Sequence, residues 1–218
     1  MIGGIAMSTD EISDKEAADF WSWFRGQRIT IESLLNGSDT NALKELVGTR
    51  VAELSSRLGW ELGPGLTKTY AFSFTLNGDI ANAGIAAKIL QCAPTFEQWE
   101  WHVGRPRKNW DLTFWMRNQK EQKVFINAAS WEYYLTSFGK NAAFDITLIA
   151  HDLPSLDEVA KMQAAGIVIQ GCIGERNALE RINRVNILNE RTEPMDHSLT
   201  YMKYLYEHMK DICDGKLD

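Results

Sequence analysis

The sequence is poor in the features that announce a chemistry. Its three cysteines, Cys92, Cys172 and Cys213, are scattered along 218 residues with no CxxC pair, which excludes a disulfide-stapled scaffold and a cysteine-held zinc site. The four histidines, His102, His151, His197 and His208, show no HxH, HxxxH or HExxH spacing, so no metal is expected. GxxxxGK[ST], GxGxxG and GxSxG are all missing, and with them the P-loop, dinucleotide and serine-hydrolase signatures. No cofactor is expected. Cys92 and Cys172 lie in Ala- or Ile-rich helical stretches, where a thiol reads as an inert core group.

Positive charge is scarce as well. With 23 Lys and Arg against 29 Asp and Glu, the net charge of −6 disfavours sequence-independent attraction to nucleic acid or anionic lipid. The apolar stretch at 167–173 is interrupted by Gln170 and Gly171 and falls short of the roughly 20 residues a membrane span needs. Residues 1–7 are apolar but lack the basic flank of a signal peptide, and residues 1–12 read as a flexible N-terminus. These features together predict a soluble, cytoplasmic protein with reduced thiols and no nucleic-acid or membrane partner.

What the chain has in quantity is aromatic surface, including eight tryptophans. Each indole buries a large ring and needs an acceptor for its N–H, a combination used in cores and at binding surfaces alike; burial is the default reading.

Ser13-Asp14-Lys15-Glu16 is a capping box, and it predicts a helix carrying Phe20, Trp21, Phe24 and Ile31 to a stop at Asn36-Gly37, with Gly26 admitting a bend. Leu43, Val47, Val51 and Leu58 mark a second helix that starts at Asp39 or Thr40 and ends at Gly59. The pattern then changes to period two: Tyr70, Phe72, Phe74 and Leu76 face one way. Asn77-Gly78-Asp79 ends that strand, and Asp79 is placed to cap an Ala-rich helix leading to Pro94. Trp99 to Val103 is a further strand, and Trp60 to Leu62 a short one.

Beyond the 104–110 loop, 112–117 and 124–128 read as a hairpin, 131–138 as a helix, and 144–149 as a strand. Ser155 to Glu158 forms a second capping box for a helix to about Cys172; a strand at 182–188 and a helix from about Ser198 follow. Hairpins mixed with helices predict an α+β fold, a mainly antiparallel sheet or sheets packed by helices in two similar-sized α/β halves. Residues 13–218 are expected to form one domain, with any subdomain split near 104–110.

Phe20-Trp21-Ser22-Trp23-Phe24, Asn77-Gly78-Asp79, Ala93-Pro94 and Trp99-Glu100-Trp101 follow one another in a layout that resembles an uncharacterised bacterial family with an N-terminal FWxWF helix. Ile173-Gly174-Glu175 is similar to the later LGE of that family. The resemblance covers about two thirds of the chain and supports the fold without implying an activity, cofactor or catalytic residue.

Trp99, Trp101, Arg105, Arg107 and Trp110, with Lys108, gather cations and aromatics around one loop and are the candidate binding residues, since Trp and Arg are the usual anchors of interfaces. Glu100 on the same strand reads as solvated. The composition therefore points to a non-catalytic, cytosolic protein-binding or regulatory module, of the immunity type. The alternative is a hydrolase-like enzyme using His102 or His151 with carboxylates such as Glu97, Glu100, Asp111 or Asp152. A homodimer built on the Tyr-rich last helix is a third option.

Overall fold

A computed structural model describes residues 12–138, 143–153, 156–190 and 198–213. The flexible segment expected at 1–12 lies outside the described residues except for Ile12, which is buried. The chain divides into two compact units, Met1–Gly104 and Arg105–Asp218.

In the first unit α1 (Asp14–Asn36) starts at the expected capping box: Ser13 Oγ accepts from the Glu16 amide at 3.2 Å, and Glu16 Oε2 accepts from the Ser13 amide at 2.8 Å. The helix runs unbroken through Gly26 and buries Ala17, Phe20, Trp21, Phe24 and Ile31, a stripe at helical spacing. The second predicted helix is a composite of α2 (Thr40–Leu43), a π-helical turn (Lys44–Gly48) and α3 (Thr49–Leu54). Gly48 closes the wide turn against Trp60, whose Nε1 lies 3.3 Å from where a Cβ would stand.

Strand β1 (Gly59–Pro64) pairs antiparallel with β2 (Tyr70–Thr75), and β2 pairs parallel with β3 (Trp99–Val103) after α4 (Asn82–Gln91). Asp79 does not cap α4 as expected. Its Oδ1 accepts from the Ala81 amide within the turn, while buried Asn82 opens the helix and donates to the Leu76 and Arg57 carbonyls. The core of this unit is a network of rings. Phe24 meets Trp99 edge-on at 5.1 Å, Trp21 meets Trp101 at 4.7 Å, and Trp99 stacks on Trp101 at 5.5 Å. Their indole N–H groups donate to Glu32 (from Trp99), the Pro94 carbonyl (from Trp101) and the Ile89 carbonyl (from Trp21), so Trp21 and Trp99 are buried, and Trp101 half-buried, without an orphaned donor.

In the second unit β4 (Thr113–Arg117) and β5 (Lys123–Asn127) form the predicted hairpin. A second sheet has the order β8-β7-β6-β9, from β6 (Glu132–Phe138), β7 (Ala143–Ile149), β8 (Ile182–Leu188) and β9 (Thr200–Tyr201). Between β7 and β8 run α5 (Glu158–Ile173) and α6 (Glu175–Arg181), and α7 (Leu205–Ile212) ends the described chain. Antiparallel pairing predominates, and the α+β reading holds, with two parallel pairs, β2/β3 and β7/β8.

Three predicted elements differ. Residues 131–138 were expected as a helix and form β6, because pairing with β7 on one side and β9 on the other decides the conformation of a segment whose Tyr and Thr residues suit a sheet. The cap of α5 is Asp157, whose Oδ1 accepts from the Ala160 amide at 2.9 Å; Ser155 of the expected capping box lies outside the described residues. The expected last helix begins only at Leu205, after β9 and a 3-10 turn at Met202–Tyr204.

The second core sets Trp131, Tyr133, Phe144, Ile146 and Leu148 against Ala160, Ala164, Ala165, Val168 and Ile169 of α5, with Leu205 and Met209 of α7. The alanines let α5 approach its neighbours closely.

Candidate functional site

Of the five binding residues expected from the sequence, Trp99 and Trp101 belong to the first unit and Arg105, Arg107 and Trp110 to the second. Trp99 is 1% exposed and, with Trp101, is committed to the aromatic core.

The other three hold the 105–110 segment along the junction of α5 and α6. Gly174, at φ +84°, turns the chain between those helices, and Glu175 follows it with a side chain only 1% exposed. Its carboxylate accepts from the Arg105 amide at 3.0 Å and lies 3.4 Å from the Arg105 guanidinium, while the Glu175 amide donates back to the Arg105 carbonyl. The Lys108 amide donates to the Gly171 carbonyl at 2.7 Å, supplying a partner near the C-terminal end of α5. Arg107 lies over the Tyr206 ring at 4.0 Å. Trp110 packs on Gly171, where a Cβ would stand 2.9 Å from the indole Cε2, and beside Phe114. The backbone of this loop is tied to partners distant in sequence, while Arg107 and Lys108 keep exposed side chains.

The acid–base candidates are engaged locally too. Glu100 is not solvated: its carboxylate accepts from the Leu66, Thr67 and Lys68 amides, the Thr67 hydroxyl at 2.7 Å and His102 Nε2 at 2.9 Å. Burial alone would raise its pKa, but the Thr67 hydroxyl, the Leu66 amide and His102 outweigh that and bring it down to about 2. A carboxylate so saturated with donors is a poor base and a good clasp for the 65–69 loop. Asp111 caps the start of β4, accepting from the Thr113 amide and hydroxyl.

In the second unit Asp152 accepts from Trp131 Nε1 at 2.7 Å, and His151 Nδ1 sits 2.9 Å from the Asn189 carbonyl. Tyr133, fully buried, shares its hydroxyl with His208 Nδ1 at 2.8 Å; burial first, then nearby Cys172, raises its pKa and keeps it protonated. Burial pushes the Cys172 thiol up to about 12, which leaves negligible thiolate at neutral pH. Among the described residues, no group of three His, Cys, Asp or Glu side chains could hold a metal ion.

A cleft of about 570 Å³ runs between α1 and the α2–α3 helix, lined by Trp23, Leu34, Leu46 and Arg50 among others. It is wide open, and its cation is already matched, Arg50 to Glu53 at 3.0 Å.

A surface that sequence reasoning missed is the outer face of the β4/β5 hairpin. The register pairs Thr113 with Asn127, Trp115 with Phe125 and Arg117 with Lys123 on that face, while Phe114, Met116, Val124 and Ile126 point to the core side. Trp115 is 66% and Phe125 50% exposed, with ring centroids 5.2 Å apart. The turn fixes this register: Asn118 Oδ1 accepts from the Lys120 and Gln122 amides, and Glu121 takes a left-handed conformation at φ +58°. Period-two counting along 112–117 and 124–128 already puts Trp115 and Phe125 opposite the core-facing residues, and that was the signal available.

Comparison with protein-family models, curated proteins and solved structures finds no match to this chain. Among the described residues no helix is long and apolar enough to cross a membrane.

Proposed function

We propose that the chain is a non-catalytic, cytoplasmic protein-binding module of the regulatory or immunity type, kin to the FWxWF proteins it resembles, and that it meets its partner through the outer face of the β4/β5 hairpin. One observation carries this reading: a tryptophan and a phenylalanine stand side by side in solvent on a strand pair whose opposite face already fills the core. Large exposed aromatics flanked by cations have the composition of interface anchors. The acid–base candidates support it from the other direction, Glu100, His102, Asp111, His151 and Asp152 each being engaged in hydrogen bonds that hold loops and strand ends.

The test is a photo-crosslinking amino acid placed at Phe125 and irradiated in cells that make the protein. A discrete protein adduct that is lost on Trp115→Ala is expected. Adducts no different from those of the same probe at Ile29, which is 72% exposed on α1, would contradict the assignment.

A further inference from the structure

The third rung of the hairpin's outer face sets two cations against each other. Arg117 and Lys123 are direct cross-strand partners, and both are exposed. Like charges in that position are unfavourable for the strand pair, so the pairing itself does not favour the fold. Arg117 donates to the Glu121 carbonyl at 2.7 Å and lies 3.8 Å from its carboxylate, but the two side chains are 58% and 80% exposed, and water screens such a contact. Lys123 has no ion-pair partner among the described residues. Lys120 in the turn adds a third cation, so this corner is positive in a chain whose net charge is −6.

An aromatic rung lies next to this cationic rung, two residues along each strand. Side chains two apart on an extended peptide have that same spacing, roughly 7 Å. We propose that the outer face binds an acidic segment of a partner protein, in which a carboxylate stands two residues from an apolar side chain. The apolar group covers Trp115 and Phe125; the carboxylate lies between Arg117 and Lys123 and relieves their repulsion. This inference rests on the protein-binding reading above and adds the chemistry of the partner. A single-stranded nucleic acid would also stack on Trp115, but its continuous negative charge meets an acidic protein with only a few cations at the site, which disfavours it.

The experiment uses the full chain labelled with 5-fluorotryptophan, the Trp115 fluorine resonance being identified by its loss in Trp115→Phe. The probes are a short synthetic peptide alternating glutamate with leucine, its lysine–leucine counterpart, an oligothymidylate and phosphatidylglycerol vesicles. The glutamate–leucine peptide is expected to move the Trp115 resonance saturably, and Arg117→Glu with Lys123→Glu to weaken that binding by about tenfold or more. Because both positions are exposed, an unchanged thermal midpoint verifies that the double variant is folded. No shift with the acidic peptide, an equal shift with the basic one, or a shift that survives the charge reversal would each overturn the inference. So would a resonance that moves only with the oligothymidylate, the vesicles or rising protein concentration, which would assign the face to nucleic acid, lipid or a second copy. If the Phe125 crosslink captures its partner equally well in the charge-reversed chain, the protein-binding reading stands and the acidic partner falls; if no adduct forms at all, both fall.

Discussion

The two units follow the same path and fill their cores differently. In each, two antiparallel strands are followed by a helical connection to a third strand parallel to the second: β1, β2, α4, β3 in one and β6, β7, α5 with α6, β8 in the other. The first unit packs interlocking rings from α1, β2 and β3; the second sets an alanine-rich helix close against a sheet and fastens a preceding loop to that helix's glycines. Stability in the first therefore depends on the volume of large side chains, and the second adds to its own buried rings, Trp131, Tyr133 and Phe144, a dependence on the absence of side chains where backbones and rings approach. The aromatic residues also differ in what they are for. The first unit has no aromatic side chain among its exposed large hydrophobics, whereas the second leaves Trp115, Phe125, Tyr201 and Tyr204 in solvent, the first two side by side on its hairpin.

This contrast predicts opposite sensitivities. The largest effect is expected from Phe24→Ala, because Phe24 is fully buried and touches Trp21, Phe72, Trp99 and Trp101; a loss of about 4 kcal/mol in denaturant unfolding is expected. At the α5 junction of the second unit addition harms as well. Gly171→Ala drives a methyl group into the Trp110 indole and should cost about 2 kcal/mol, whereas Gly166→Ala on the same helix, with open space around it, should stabilise by about 0.5 kcal/mol. Equal responses of the two glycines would break the account of the α5 junction.

Acid sensitivity should report on the Glu100 clasp in the first unit. Its carboxyl titrates near 2 in the folded chain against an ordinary value of 4.5, so the folded state binds fewer protons than the unfolded between those values. The clasp's contribution is complete above about pH 4.5 and is lost as pH falls toward 2, and with partial solvent screening it amounts to about 2 kcal/mol. Glu100→Gln should lower stability at neutral pH and flatten that acid limb; an unchanged limb would assign it to other carboxylates. Smaller losses belong to the helix caps: Ser13→Ala and Asp157→Ala should each cost about 1 kcal/mol, one in each unit.

The elements of the first unit are legible in the sequence almost throughout, because its helix cap, period-two strand and Asn-Gly turn are local signals; what escapes is the start of α4 at Asn82 and the π turn, which accommodates Trp60 against Gly48. The second unit is less legible. In 131–138 the sheet-favouring Tyr and Thr residues are a weak local signal, and pairing with β7 and β9 defines β6, while α6 begins at a glycine with no side-chain cap. The candidate residues fared by the same rule. Arg105, Arg107 and Trp110 carry the composition of a binding loop, and Glu175, Tyr206 and Gly171 contact them in space while Arg107 stays exposed; only the tertiary structure brings those contacts in. Trp115 and Phe125 could be placed on an outer face by alternation alone, but not shown to remain uncovered.

Comparing thermal unfolding of Trp110→Ala with that of the Trp115→Ala, Phe125→Ala double variant tests the central claim most directly. Loss of Trp110 from its seat on Gly171 should lower the midpoint by roughly 6 °C or more, while removal of the exposed pair should change it by about 2 °C at most. A double variant that falls as far as Trp110→Ala would show that the hairpin's aromatic face serves the fold, and would contradict its assignment as a surface kept open for a partner.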